Sequence, residues 1–284
     1  MKKRCNCTER RREVRIDVYL TQNGYADSRT RAQNLIAAGL VALDGKTVRR
    51  PSEDVDESAE HTLEVGQDIP YVGRGGCKLE AALDAFGLDV TDGWALDIGA
   101  STGGFTDCLL RRGAARVYAI DSGSGQLAAS LREDSRVVNI EKCNARYLDA
   151  AMLDENFTAN GGADVAVMDV SFISQTCILP VLPSLLKADG RVVTLIKPQF
   201  EVGRQGLGKG GIVREDKWRR TAIERVLTGA ALVGLSPQAV IRSPIEGGDG
   251  NVEYLGYFVL SDSAQAQTDA QALLAQLPSN LFKK

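Results

Sequence analysis

One stretch, Trp94–Phe105 (W-A-L-D-I-G-A-S-T-G-G-F), constrains the fold of this chain more than any other. Its apolar start predicts a buried strand, its glycines predict a turn, and an amphipathic helix is expected from Phe105. A strand, a glycine-rich turn and a helix form the usual ligand pocket at the carboxyl end of a central parallel strand. An ordinary strand–turn–helix corner is the alternative interpretation.

Two common nucleotide motifs are absent from this turn. The dehydrogenase fingerprint G-x-G-x-x-G fails because Ser101 stands two residues after Gly99, and the chain contains no G-x-x-x-x-G-K-[ST] phosphate loop. Asp97 lies before the glycines, and Asp121 ends the next predicted strand. These acids favour a cofactor with a ribose and an amino-acid tail, such as S-adenosylmethionine.

Composition and charge narrow the class of protein. The 284 residues carry a net charge of −3, but residues 1–50 alone carry +7, so the amino-terminal part is expected to contact a polyanion. No secretory signal and no apolar run of membrane length occurs. One histidine, His61, and six scattered cysteines argue against a zinc site, and no metal is expected. The thiols suit a reducing cytoplasm.

The amino-terminal region reads as a very small α+β domain. Residues 1–13 form a basic arm without a clear role; helices are expected from Ile16 and after Ser28, and Asp44-Gly45 predicts a hairpin turn. Residues 14–68 resemble the S4 domain, a small RNA-binding module. The resemblance implies a surface that contacts RNA phosphates, formed by Arg15, Arg29, Arg31, Lys46, Arg49 and Arg50.

Strands and helices then alternate through residues 77–284, after a linker at 69–76. The pattern predicts an α/β fold, a Rossmann-like doubly wound sheet of seven strands. Asp97, Asp121, Asp169 and Lys197 all fall at predicted strand ends, where such sheets bind ligands. Expected strands after the first are 117–121, 136–141, 164–170, 191–198, 240–243 and 254–260, and expected helices are 105–112, 124–132, 174–187 and 215–233.

Four polar residues, Lys78, Asp169, Lys197 and Glu253, resemble the catalytic tetrad of FtsJ-like ribose 2′-O-methyltransferases. With the S4-like module, the chain is similar to the TlyA family, which methylates ribose 2′-hydroxyls of ribosomal RNA cytidines and whose members are also labelled hemolysins. The resemblance implies ribosomal RNA as the partner, within ribosomal subunits, and leaves the oligomeric state open. A membrane-lytic protein and a non-catalytic RNA-binding assembly factor remain alternatives.

The resemblance also implies roles for the four residues. Lys197 would act as the base, or would steer the hydroxyl and stabilise the developing alkoxide. Asp169 and Glu253 would orient it, and Lys78 would position and polarise the hydroxyl.

The cofactor positions follow from the same resemblance. Asp97, Gly99, Ser101 and Gly103 would line the methionine end of S-adenosylmethionine, with Thr102 among the cofactor-binding residues. Asp121 would accept the ribose hydroxyls, and Asn144 and Ala145 would flank the adenine. The glycine-rich segment 205–211 reads either as a lid or as a plain mobile loop.

Overall fold

The computed structural model describes residues 13–37, 39–66 and 71–283, and the chain divides into two compact units, Met1–Ile69 and Pro70–Lys284. The predicted basic arm lies outside the described residues, apart from Glu13. In the first unit, Asp44 and Gly45 both adopt positive φ angles and form the predicted hairpin turn. The elements of this unit are β1 Glu13–Arg15, α1 Ile16–Gln22, α2 Arg29–Ala37, β2 Val41–Leu43, β3 Lys46–Thr47, β4 Asp54–Asp56 and β5 Leu63–Val65.

Two helices and a small core hold the first unit together. Ser28 caps the start of α2, because its Oγ accepts a hydrogen bond of 3.1 Å from the Arg31 N–H. Ile16 and Leu20 of α1 pack against Ile36 and Val41 in a buried apolar cluster. The strands form two small sheets, β1 with β4 and β3-β2-β5. Strands β4 and β5 had no predicted counterpart in the sequence.

The second unit is built on a mixed seven-stranded sheet, as the alternating pattern predicted. Its strand order is β11-β12-β10-β9-β6-β7-β8, and only β12 runs antiparallel to its neighbours. The elements are α3 Gly75–Phe86, β6 Trp94–Ile98, α4 Gly104–Arg111, β7 Arg116–Ile120, α5 Ala129–Arg132, β8 Val137–Ile140, α6 Glu155–Ala159, β9 Ala163–Met168, β10 Leu186–Ile196, α7 Pro198–Glu201, α8 Asp216–Leu232, β11 Leu235–Arg242, β12 Tyr254–Leu260 and α9 Ser263–Gln276.

The sheet topology has its switch point beside β6. From β6 the chain continues to β7 on one side, and β9 pairs with β6 on the other. This is the switch point at which doubly wound sheets bind ligands outside the carboxyl ends of their strands. The carboxyl ends of the strands therefore bring together four of the predicted residues: Asp97, Asp121, Asp169 and Lys197.

Two of the expected helices were wrong. Residues 174–187 form short 3₁₀ turns, Gln175–Cys177 and Leu179–Leu185, and then enter β10. Pro180 and Pro183 lack the N–H donors that an α-helix needs at these positions. The helix expected at 124–132 is reduced to α5, because Gly125 takes a positive φ of 69° in the preceding turn.

The carboxyl-terminal helix α9 was not predicted. The Asp262 side chain caps it by accepting hydrogen bonds from the N–H groups of Ala264 and Gln265. Its fully buried residues are small, Ala266 and Ala270, which pack on Ala231 of α8, and Leu273 and Leu274 pack partly buried on the main core. An alanine face gives a weak periodic signal in the sequence.

Candidate active site

The glycine-rich turn after β6 packs directly against the end of β9. Gly99 has a φ of +84°, and a Cβ at this position would lie 2.5 Å from the backbone oxygen of Asp169. Only glycine permits both the dihedral and this approach. Gly103 has a φ of +96°, but a Cβ there would meet the side chains of Leu127 and Leu131. Gly103 is therefore needed for packing, and it does not line either of the cavities described below.

Asp97 is fully buried behind this turn. Its Oδ2 accepts a hydrogen bond of 2.6 Å from Thr106 Oγ1, and its Oδ1 has no hydrogen-bond partner among the described residues. Burial raises the pKa of Asp97 to about 7, and the nearby Asp169 carboxylate adds to this rise. Asp97 Oδ1 is thus free to accept a hydrogen bond from a bound ligand.

The raised pKa makes the stability of the free protein depend on pH. Since the folded-state pKa exceeds the unfolded value, Asp97 contributes stability at low pH that is lost as pH rises through about 7. We expect the free energy of unfolding to fall by on the order of 3 kcal/mol between about pH 5 and pH 8 through this group. Urea unfolding of the wild type and Asp97→Asn across this range measures it; parallel curves would contradict the assignment.

A cleft of about 600 Å³ opens at the carboxyl ends of β6, β7 and β8. Five of the predicted cofactor residues line it: Gly99, Ser101, Asp121, Asn144 and Ala145. Its volume lies in the range of ordinary small-molecule sites.

Asp121 at this cleft is held by two backbone donors. Its two carboxylate oxygens accept hydrogen bonds from the N–H groups of Ser101 at 2.8 Å and Gly123 at 2.7 Å. Each oxygen keeps a second lone pair. The carboxylate is therefore fixed in position and can still accept hydroxyl donors.

A second cavity of about 190 Å³ adjoins the first near α3. It is lined by the segment Gly73–Gly75, by Thr102 and by Lys197. Gly99, Ser101, Asp169 and Ser171 line both cavities. The end of β9 thus forms the junction between them.

Lys197 and Asp169 form an ion pair at this junction. Lys197 Nζ lies 2.6 Å from Asp169 Oδ1 and donates a hydrogen bond of 2.9 Å to Ser171 Oγ. Both side chains keep some solvent exposure, so a substrate group can reach them. Lys197 directly follows β10 and precedes the single turn α7, which restricts its backbone.

Lys78 and Glu253 form a second ion pair, and this one is buried. Lys78 Nζ lies 2.5 Å from Glu253 Oε2, and the side chains are only 8% and 3% exposed. Lys78 lies one turn after Gly75 on α3, and a Cβ at Gly75 would lie 3.8 Å from Asp169 Oδ2. The four predicted residues are therefore arranged as two ion pairs beside the first two turns of α3.

An exposed aromatic side chain stands next to Ser171. Phe172 is 92% exposed, has a φ of +64°, and its ring centroid lies 5.2 Å from that of Phe200. A phenylalanine rarely adopts a left-handed conformation, and such positions concentrate at functional sites. No residue near Phe172 in the sequence predicts this backbone conformation.

Hydrogen bonds from Asn251 hold the carboxyl-terminal end of the glycine-rich segment 205–211. Asn251 Nδ2 donates to the Gly211 carbonyl at 3.2 Å, and Asn251 Oδ1 accepts from the Val213 N–H at 2.8 Å. The lid and the plain loop both remain predictions for the part before Gly211.

In the first unit, the predicted RNA-facing side chains differ in their surroundings. Lys46, Arg49 and Arg50 are exposed, and Arg31 is half-buried. Arg15 and Arg29 are exposed too, but both donate to the buried carboxylate of Asp17, at 3.0 Å and 3.1 Å.

Asp17 is the residue that sequence reasoning missed in this unit. Burial works to raise its pKa, but hydrogen bonds from Arg15, Gln33 and Arg29 outweigh burial and hold the pKa well below its usual range. The carboxylate thus orients two arginines and offsets part of their charge.

Comparisons with known proteins match both units. The FtsJ-like methyltransferase family matches residues 71–259, and the S4 domain matches residues 14–61. Within the described residues, no helix is long and apolar enough to cross a membrane.

Individual relatives cover most of the chain. A Bacillus subtilis protein named "Putative rRNA methyltransferase YqxC" is 44% identical, over 86% of this chain and 85% of that protein. The Mycobacterium tuberculosis protein named 16S/23S rRNA (cytidine-2′-O)-methyltransferase TlyA is 42% identical, over 86% and 88%. A solved structure of a "Putative hemolysin" from Streptococcus thermophilus is 40% identical, with a TM-score of 0.68 over 92% of this chain and 98% of that one.

Proposed function

Since this chain belongs to the FtsJ-like methyltransferase family and carries an S4 domain ahead of the matched region, we propose that it methylates a ribose 2′-hydroxyl of ribosomal RNA, at cytidine. S-adenosylmethionine is the proposed methyl donor. The observation that carries the proposal is the Asp169–Lys197 ion pair at the junction of two cavities, beside the switch point of the sheet. The relatives named as ribosomal RNA cytidine-2′-O-methyltransferases support the substrate.

The residues around the two cavities fit S-adenosylmethionine. Asp121 would accept the ribose hydroxyls in the larger cleft, where Asn144 and Ala145 would flank the adenine. Ser101 and Thr102 would lie along the methionine end towards the smaller cavity. The unpartnered Oδ1 of buried Asp97 suits the positive charge of the methionine amino group. When bound, the cofactor supplies an electrophilic methyl group on sulfur.

The protein has to supply an oriented hydroxyl and a path for its proton. Lys197 and Ser171 would hold the ribose oxygen, since both line the smaller cavity beside Asp169. As the ribose oxygen took the methyl group, its hydroxyl proton would pass to the Asp169 carboxylate or to water, because the Asp169 side chain keeps some solvent exposure. Lys197 Nζ lies between Asp169 Oδ1 and Ser171 Oγ at the cavity junction, so we infer that Lys197 steers the oxygen and stabilises its developing charge.

The buried Lys78–Glu253 pair would act through its charge, without contacting the substrate. Its side chains are too buried to meet a nucleotide in the present conformation, and they lie beside the same end of α3 as Asp169. Lys78 would add positive charge near the developing alkoxide, and Glu253 would hold the Lys78 ammonium in place.

The exposed surfaces fit an RNA substrate. Phe172 presents its ring to solvent beside the Asp169–Lys197 pair, which suits stacking on an unpaired base. The exposed basic side chains of the S4 unit would contact phosphates and give salt-dependent affinity. A ribose within a ribosomal subunit is the proposed target.

The direct test is methyl transfer from a labelled cofactor. Purified protein is incubated with ribosomal subunits, and the label is followed into RNA and protein fractions. We expect label in RNA, located at a nucleotide whose 3′ linkage has become resistant to alkali, because alkaline cleavage needs a free 2′-hydroxyl. Label in protein, or in RNA that stays fully alkali-sensitive, would contradict the proposal.

A further inference from the structure

A buried group of polar side chains joins the segment after Asp169 to the segment around Lys197. The Glu201 carboxylate accepts hydrogen bonds from Ser174 Oγ at 2.6 Å and from the Gln175 N–H at 2.8 Å. The Gln175 side chain then reaches back to β10. Its amide nitrogen donates to the Leu195 carbonyl, and its oxygen accepts from Thr194 Oγ1 at 2.6 Å.

These contacts bracket Lys197 on both sides. Thr194 and Leu195 come just before Lys197 on β10, and Glu201 comes one helical turn after it at the end of α7. All of them attach to Ser174 and Gln175, which follow Asp169 by five and six residues. The chain therefore closes a hydrogen-bonded loop around the Asp169–Lys197 pair.

Inside this loop, Ser171 accepts a hydrogen bond from Lys197, and the Phe172 ring contacts Phe200. Ser171 and Phe172 are exposed, and Phe172 adopts a positive φ of 64°. A strained conformation persists only where the surrounding structure holds it. The hydrogen bonds of Ser174 and Gln175 restrain the chain after Phe172, and strand β9 restrains it before Asp169.

A carboxylate in this position is costly for stability. Glu201 is 2% exposed, and burial raises its pKa, with hydrogen bonds from Ser174 and Gln175 acting in the opposite direction. Its nearest cation, Arg225 Nε, lies 3.9 Å away on a half-exposed side chain. Buried charges of this kind are weak contributors to stability and are often retained for specificity.

We propose that Glu201 is a positioning residue that fixes Asp169 and Lys197 at their working distance, through its two hydrogen bonds rather than through its charge. The inference rests on the proposed methyl transfer at this pair. A neutral side chain with the same shape is then sufficient, because a glutamine can accept from the Gln175 N–H and donate to Ser174 Oγ.

Three variants separate geometry from charge and from general stability. Glu201→Ala leaves Ser174 and Gln175 without their acceptor, and we expect kcat to fall by about 100-fold, since small misplacements of reacting groups have effects of this size. The KM values for cofactor and RNA should change little. Glu201→Gln should keep kcat close to that of the wild type. Ser174→Ala removes one of the two bonds and should give an intermediate kcat.

Asp164→Ala is the matched control at the opposite end of the sheet. Asp164 accepts from the Trp94 N–H at 2.8 Å and thus ties β9 to β6 at their amino ends. This variant should lower the melting temperature without changing kcat. If Glu201→Ala keeps wild-type kcat, or if Glu201→Gln is as impaired as Glu201→Ala, the positioning role is wrong.

Amide hydrogen exchange tests the restraint without any reaction. The N–H groups of Gln175, Cys177 and Ile178, which donate to Glu201, Ser174 and Gln175, should exchange faster in Glu201→Ala and at the wild-type rate in Glu201→Gln. Unchanged exchange in Glu201→Ala would overturn the inference whatever the activity. A wild type that transfers no methyl group, but shows this exchange pattern, would instead overturn the proposed function and leave the restraint standing.

Discussion

Replacing Lys197 by alanine should lower the rate of methyl transfer by about 10³-fold or more, with little effect on folding. The Lys197 ammonium is the cation that contacts both Asp169 and Ser171 at the cavity junction, and neither neighbour can replace its charge. The Asp169 carboxylate stays in contact with water after the change, so the cost in stability is small. Single-turnover rates at saturating cofactor and RNA measure the effect.

A matched ion pair at the other end of the same strands provides the control. Lys187 Nζ lies 2.9 Å from Asp164 Oδ1, and this pair joins β10 to β9 near the start of each strand. The Lys197–Asp169 pair joins the same two strands just after their carboxyl ends. Lys187→Ala removes an equivalent charge pair far from the cavities and should keep the wild-type rate. Equal losses in the two variants would show that the effect is general and not specific to the proposed site.

Lys197→Arg distinguishes the two roles left open for this lysine. An arginine keeps a cation and hydrogen-bond donors but does not release a proton at ordinary pH. A steering cation therefore predicts a partial activity for Lys197→Arg, well above that of Lys197→Ala. Activity as low as that of Lys197→Ala would instead identify Lys197 as the base.

Breaking the buried Lys78–Glu253 pair should produce the largest loss of stability among the changes considered. Lys78→Met leaves the Glu253 carboxylate buried without its cation, which costs about 3–5 kcal/mol of unfolding free energy. Replacing both residues with apolar side chains, Lys78→Met with Glu253→Leu, removes both buried charges and should recover most of that loss. Urea denaturation of the single and double variants measures the difference.

In the Lys78 and Glu253 variants, the rate of methyl transfer should not recover together with the free energy of unfolding. If the pair contributes charge near the reacting oxygen, the double variant folds well and yet transfers methyl groups far more slowly than the wild type. A double variant that is both stable and fully active would reduce Lys78 and Glu253 to structural residues. A double variant as unstable as Lys78→Met would contradict the proposed cause of the destabilisation.

The sequence predicted the fold class and placed Asp97, Asp121, Asp169 and Lys197 at the carboxyl ends of the strands, where the candidate site lies. The central strand, the acidic residues at the strand ends and the succession of strands along the chain follow from apolar runs and glycine turns, which are local signals. The order of the strands across the sheet was not predicted. Residues 174–187 were misjudged because their apolar spacing resembles a helix, while Pro180 and Pro183 turn the same spacing into 3₁₀ turns. Helix α9 was missed because alanines provide its buried face.

The arrangement within the site was less accessible from the sequence. Nothing in the spacing of Lys78, Asp169, Lys197 and Glu253 says which lysine pairs with which acid, because that depends on where α3 lies against the sheet. The sequence also does not show that Asp17 pairs with Arg15 and Arg29 and so offsets part of the charge of the predicted basic surface. Glu201 was unremarked because its partners, Ser174 and Gln175, are distant in sequence.

The Asp169–Lys197 pair is proposed to direct the methyl group to a ribose oxygen of ribosomal RNA. Mass spectrometry of nucleosides from ribosomal RNA, treated with wild-type protein or Lys197→Ala, tests it most directly. We predict a cytidine whose added methyl stays with the ribose fragment, present with the wild type and absent with the variant. A methyl group on the base fragment would rule out ribose methylation, and equal ribose methylation by Lys197→Ala would rule out control by the Asp169–Lys197 pair.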